Sequence, residues 1–156
     1  LFSRNINIAL SPTIPAGFLG TPVWHIRMIP VVAATHPLAQ QTGLITEQQL
    51  AQHRQIVIRD SGTKREQNVG WLGSEQRWTV SHFSSCIEAV QAGLGFAFIP
   101  ENKIENALHT NFLVPIPLSM HAERHLTVNL ILADQSKDGP ATQAIAKKIL
   151  ELNTMK

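Results

Sequence analysis

Between Trp78 and Pro100 the chain reads WTVSHFSSCIEAVQAGLGFAFIP, and its one cysteine, a histidine and three serines fall within Ser81 to Cys86. His82 and Cys86 stand four apart, a spacing that on a helix puts an imidazole beside a thiol. A nucleophile built this way needs a thiolate and a third group to orient the base. The sequence supplies no such group, and a free cysteine on an apolar stripe is ordinarily core. No catalytic residue is therefore expected, and the chain reads as a non-enzyme. Ser81, Ser84 and Ser85 offer a different chemistry. At the start of a helix their hydroxyls, with the free backbone amides, can hold a carboxylate or similar anion at the positive helix end. The same serines also read as ordinary caps, and Phe83 as either cleft wall or core. His121 and His125 repeat the four-residue spacing in a charged turn that has no third ligand, so no metal site and no cofactor are expected. Lys64, Arg65 and Glu66 read as a solvated helix face, with Arg65 also able to pair with an anion.

The elements that must position these groups are legible in part. Trp78 to Ser81 reads as a strand, Phe83 to Ala92 as a helix, and Phe96 to Ile99 as a second strand. Phe83, Cys86, Ile87, Val90 and Leu94 form one stripe at helical period. Ser85 and Glu88 have capping-box spacing. Gly93 suits the left-handed residue that ends a helix, and Gly95 a tight entry to the next strand. Strand, helix and strand with a short return imply a parallel pair, and in such sheets ligands bind beyond the carboxyl ends of the strands. That places the candidate site at Ser81, His82, Phe83 and Ser84.

The bulk numbers agree with a folded domain. The 156 residues are 44% hydrophobic and 15% charged, with a formal charge of +2. No run of basic residues exceeds two, too little for a nucleic-acid footprint. One cysteine excludes an internal disulfide framework and fits a reducing, cytoplasmic setting. No apolar run approaches a membrane span, and Leu1 to Arg4 shows no export-signal pattern. The chain starts on leucine, so it is expected to be a piece of something longer.

Taken in order, Ile6 to Leu10 reads as a short strand halted by Ser11, Pro12, Thr13 and Pro15. Trp24 to Ala34 is a longer strand in which Pro30 predicts an edge or a bend. Thr46 opens a helix with a Gln49 capping box, ending near His53. Ile56 to Ile58 is a strand followed by the polar turn Asp60, Ser61, Gly62 and Thr63, and Lys64 to Leu72 is a second helix. Glu101 to Leu108 forms a short helix, Phe112 to Ile116 a strand broken by Pro115, and Leu126 to Ala133 a clean strand. Pro140 starts a last helix whose core face is Ala141, Ala144, Ile145, Ile149 and Leu152. Strands alternating with helices argue α/β.

The run Val90 to Pro100, VQAGLGFAFIP, resembles the "VaaGlGiaflP" signature of the effector-sensing domain of LysR-type transcriptional regulators. His36 to Ala39 resembles the family's "hPLA", Phe112 to Ile116 its "Lv.lp" strand, and Ile6 to Leu10 its "DLAI" strand with Asn7 in the acidic place. The resemblance implies a type-2 periplasmic-binding-protein-like α/β fold, two lobes joined by two crossing strands, the first lobe incomplete. Residues 34–132 would form the second lobe, 1–33 a remnant of the first, and 133–156 its closing strand end and helix. It further implies a small effector, read as carboxylate-bearing, in an inter-lobe cleft. Effector contacts would fall on Ser81, His82, Phe83 and Ser84, on Gly62 and Thr63, and on Ser11 and Thr13. Peroxide-sensing members carry a reactive cysteine where this chain has Thr63, which disfavours a peroxide switch. The implied partners are a second copy, as homodimer or homotetramer, and DNA only through an absent N-terminal winged helix-turn-helix. No membrane is involved. The alternative is a solute-binding module of a transport system, which shares the fold.

Overall fold

The first strand, β1 (Ile8–Ser11), leads into a strand of 14 residues, β2 (Gly20–Ala33). The computed structural model describes residues 6–59, 73–119, 124–133 and 139–153. Its contacts divide the chain into one unit of residues 1–26 with 125–156 and another of residues 27–124. The sequence reading puts these boundaries further along, after 33 and after 132.

In the first unit, β1 lies antiparallel to β7 (Arg124–Leu132, whose first residue belongs to the second unit), with Ile8 opposite Leu132 and Ser11 opposite Asn129. Val23, Leu130 and Ala146 form its core, flanked by Ile8, Trp24, Val128, Leu132 and Ile149. Pro140 stands at the first position of α5 (Pro140–Asn153), where its missing N–H is no loss. The face α5 buries differs from the expected one. Ala146 and Ile149 turn inward, whereas Ala141, Ala144, Ile145 and Leu152 are exposed, Ile145 by 55%.

The second unit contains α1 (Pro37–Gln40), α2 (Glu47–Ala51), β3 (Gln55–Ile58), β4 (Arg77–Val80), α3 (Phe83–Gln91) and β5 (Ala97–Pro100). A 3-10 turn (Glu101–Lys103), α4 (Glu105–His109) and β6 (Leu113–Pro115) follow. β4 and β5 are not neighbours, contrary to the simple strand–helix–strand reading. β3 lies between them, parallel to β4 with Ile56 opposite Trp78, and bridged to β5 through Gln55 and Phe96. β5 and β6 each pair antiparallel with β2, so the sheet is mixed.

Pro30 sits inside this pairing and not at an edge or bend. Its carbonyl accepts from the Ile116 N–H at 2.9 Å, so its missing donor faces the last rung of the β6 ladder and leaves the β5 ladder intact. α3 packs over β3, β4 and β5, burying Cys86 and Val90 among Ile29, Val31, Ile56 and Ile99. Leu94 is exposed, because Gly93 at φ +76° has ended the helix before the stripe reaches it. The expected turn around His125 is instead part of β7, and the helix expected over 64–72 lies outside the described residues, as do Trp71 and His121.

Thr46 caps α2 as its sequence predicts, its hydroxyl accepting from the Gln49 N–H while Gln49 Oε1 accepts from the Thr46 N–H. α1 is capped by an imidazole: His36 is buried and its Nδ1 accepts from the Leu38 N–H at 3.1 Å. The His53 ring stands edge-on to it, 5.2 Å between centroids. Burial first, and then the neighbouring His53, hold the His36 pKa below its usual 6.5, and burial lowers that of His53. The unfolded chain therefore takes up protons at a pH where the native pair still refuses them. Stability is expected to be full above about pH 7, to fall as the pH drops through the unfolded value near 6.5, and to level off below the native values. Urea midpoints between pH 8 and pH 5 measure this. His36→Asn keeps a capping acceptor and should flatten the dependence.

Candidate functional site

β4 ends at Val80, and the next two residues, Ser81 and His82, carry the chain into α3. His82 is the N-cap, with extended backbone at φ −135° and ψ 150°, and makes no side-chain capping bond. The first intrahelical bond runs from the Cys86 N–H to the His82 carbonyl at 3.1 Å. The N–H groups of Phe83, Ser84 and Ser85 thus have no acceptor within the helix, as every helix start dictates. The Ser85–Glu88 capping box does not form, because Ser85 already lies inside the first turn. Ser81, His82, Ser84 and Ser85 are exposed and Phe83 is half-buried. The result is a mouth of backbone donors and hydroxyls at the positive end of a nine-residue helix.

A residue that the sequence does not single out joins them. Lys103, in the 3-10 turn after β5, places Nζ 5.5 Å from the centroid of the Phe83 ring. The packing of α3 against β5 brings it there, so no local pattern signals it. β3 reaches the same end of the sheet, where the Arg59 N–H donates to the Val80 carbonyl at 2.7 Å. Gly62, Thr63 and Arg65 lie outside the described residues.

Ser11 and Thr13 belong to the other unit. There they form a local turn, the Ser11 hydroxyl oxygen accepting from the Thr13 N–H at 3.1 Å, while the Ser11 carbonyl accepts from Asn129 Nδ2 at 3.4 Å.

His82 and Cys86 do not make a reactive pair. The imidazole stands in solvent at the N-cap, whereas the thiol is fully buried on the sheet side of α3, where burial pushes its pKa up to about 12. Among the described residues, no three histidine, cysteine, aspartate or glutamate side chains could together hold a metal ion. No described helix is long and apolar enough to cross a membrane.

The LysR substrate binding domain family matches residues 4–153. This chain belongs to that family. The HTH-type transcriptional activator AllS of Salmonella typhimurium strain LT2 is 30% identical over 129 residues. The match covers 76% of this LysR-family chain and 42% of the activator, so the chain spans less than half the length of that relative. The regulatory domain of MetR, a LysR family regulator from Neisseria meningitidis, matches in fold with a TM-score of 0.74 at 14% identity. It covers 99% of this chain, and 73% of the MetR domain is matched. The effector binding domain of QuiR in complex with shikimate matches with a TM-score of 0.70 at 15% identity, over 99% of this chain and 75% of that one. The fold is thus the type-2 periplasmic-binding-protein-like α/β fold of LysR regulatory domains, and the chain is a LysR-type effector-binding domain.

Proposed function

We propose that this chain is the sensing part of a LysR-type transcriptional regulator, and that its effector is a small acid whose anionic group seats at the mouth of α3. The observation that carries this reading is the uncapped start of α3, with three open backbone donors, the Ser84 hydroxyl and Lys103 over Phe83. Ser81, His82, Phe83 and Ser84 are the contacts from this unit. Gly62 and Thr63, and Ser11 and Thr13 of the other unit, are proposed as contacts on the family resemblance alone. Occupancy shifts the balance between two arrangements of a homodimer or homotetramer, and a winged helix-turn-helix elsewhere in the protein changes its grip on DNA. The chain itself performs no catalysis, and the regulator works in the cytoplasm. Two facts support it: the family match, and the relative's name as a transcriptional activator. QuiR, named with shikimate, shows that this fold accommodates a carboxylic acid in one member.

Isothermal calorimetry with shikimate and other small carboxylic acids, each run against its amide, tests the reading. The acid should bind in preference, and Ser84→Ala should weaken it by roughly tenfold, as loss of a hydrogen bond to a charged group does. Equal affinity for acid and amide, or binding untouched by Ser84→Ala, would overturn it.

A further inference from the structure

Arg124 opens β7 with its guanidinium carbon 5.4 Å from the centroid of the Phe98 ring. Phe98 is only 8% exposed, and Phe96 braces it edge-on with centroids 6.4 Å apart. Ala97 and Ile99 belong to the core that α3 covers, so strand alternation puts Phe96 and Phe98 on the opposite face of the sheet. Arg124 is half-buried on that face, and its withdrawal from water lowers its pKa from the usual value.

The contact with Phe98 explains where the side chain lies. It does not satisfy the five N–H donors of the guanidinium, which lie in the guanidinium plane and need oxygen acceptors. Among the described residues, no carboxylate, carbonyl or hydroxyl hydrogen-bonds Arg124. Two other arginines of the same unit show the contrast. Arg27 Nη1 sits 3.0 and 3.1 Å from the two Glu101 oxygens. Arg54 stacks on Trp78 at 4.2 Å and donates to Gln76 Oε1 at 3.3 Å through Nη2, although its buried Nε has no hydrogen-bond partner among the described residues. The Arg124 nitrogens are not fully buried, so the fork is open to an acceptor arriving from solvent.

We propose that Arg124, held against Phe98, is a second oxyanion-binding position of this unit, taking a carboxylate or phosphate group through its planar fork. The position is built from different residues than the mouth of α3, and it lies on the other face of the sheet. A two-oxygen acceptor matches the fork geometry, whereas a lysine would supply the charge without it.

Arginine Nε–Hε NMR signals of the 156-residue chain test this directly, with inorganic phosphate and acetate as separate titrants. The Arg124 signal, assigned by its loss in Arg124→Gln, should shift saturably and at least tenfold more tightly than those of the exposed Arg59 and Arg77. Arg124→Lys should lose most of that affinity, and Ser84→Ala should leave the Arg124 response unchanged. An Arg124 signal that moves no more than those of Arg59 and Arg77 overturns the proposal, and that comparison needs no variant to fold beyond the one used for assignment. A response that vanishes in Ser84→Ala reveals one joined site and overturns it too. Saturable phosphate or acetate binding at Arg124 with no acid preference in the Ser84 calorimetry would instead remove the α3 reading and leave this one standing.

Discussion

Iodoacetamide is expected to modify Cys86 in the native chain no faster than the chain unfolds. The thiol is fully buried between α3 and the sheet, and that burial pushes its pKa from 9.0 to about 12. At neutral pH the native thiolate is then about a thousandfold scarcer than that of an ordinary cysteine, before access is considered. Modification should therefore follow the urea unfolding curve, slow in buffer and fast above the midpoint. Rapid alkylation at pH 7 in buffer would contradict the buried placement and reopen the idea of a cysteine nucleophile beside His82. The prediction bears on function because the helix that presents a polar mouth at one end hides its only nucleophile along its length.

That division of labour along α3 is legible in the sequence, and the reason is local. Cys86 and Val90 repeat at helical period, Gly93 stops the helix, and strand residues flank both ends, so the mouth at Ser81 to Ser84 follows from short-range pattern alone. What sequence period could not supply was long-range pairing. Nothing local says that β3 inserts between β4 and β5, and nothing local places Lys103 over Phe83 or Arg124, a β7 residue, over Phe98. α5 shows a different limit. Its apolar residues occupy more than one face, so period alone allows two inward stripes, and the one through Ile145 and Leu152 lies in solvent. Leu94 fails for a third reason: a period holds only while the helix lasts.

The insertion of β3 makes one glycine decisive, and Gly95→Ala should be the most damaging single-methyl change in the second unit. A Cβ at Gly95 would collide with the Arg54 carbonyl oxygen, and would also meet the Arg54 carbonyl carbon at 3.1 Å and Cβ at 3.3 Å. The carbonyl has no freedom to retreat. It accepts from the Phe96 N–H at 3.0 Å, and the Ile56 N–H in turn donates to the Phe96 carbonyl at 2.8 Å, so moving Arg54 opens the bridge between β3 and β5. Overpacking against backbone is expected to cost about 3 kcal/mol, or to prevent folding. Gly93→Ala supplies the comparison, since Gly93 has positive φ but open space around it, and only the left-handed strain of about 1 kcal/mol applies. Urea midpoints of the two variants should rank accordingly. Equal losses would mean that β3 and β5 do not approach as closely as described. Because that bridge ties together the strands beneath the α3 mouth and beneath Phe98, Gly95→Ala should weaken both anion responses together. Ser84→Ala should weaken only the first, by roughly tenfold, with its melting temperature unchanged.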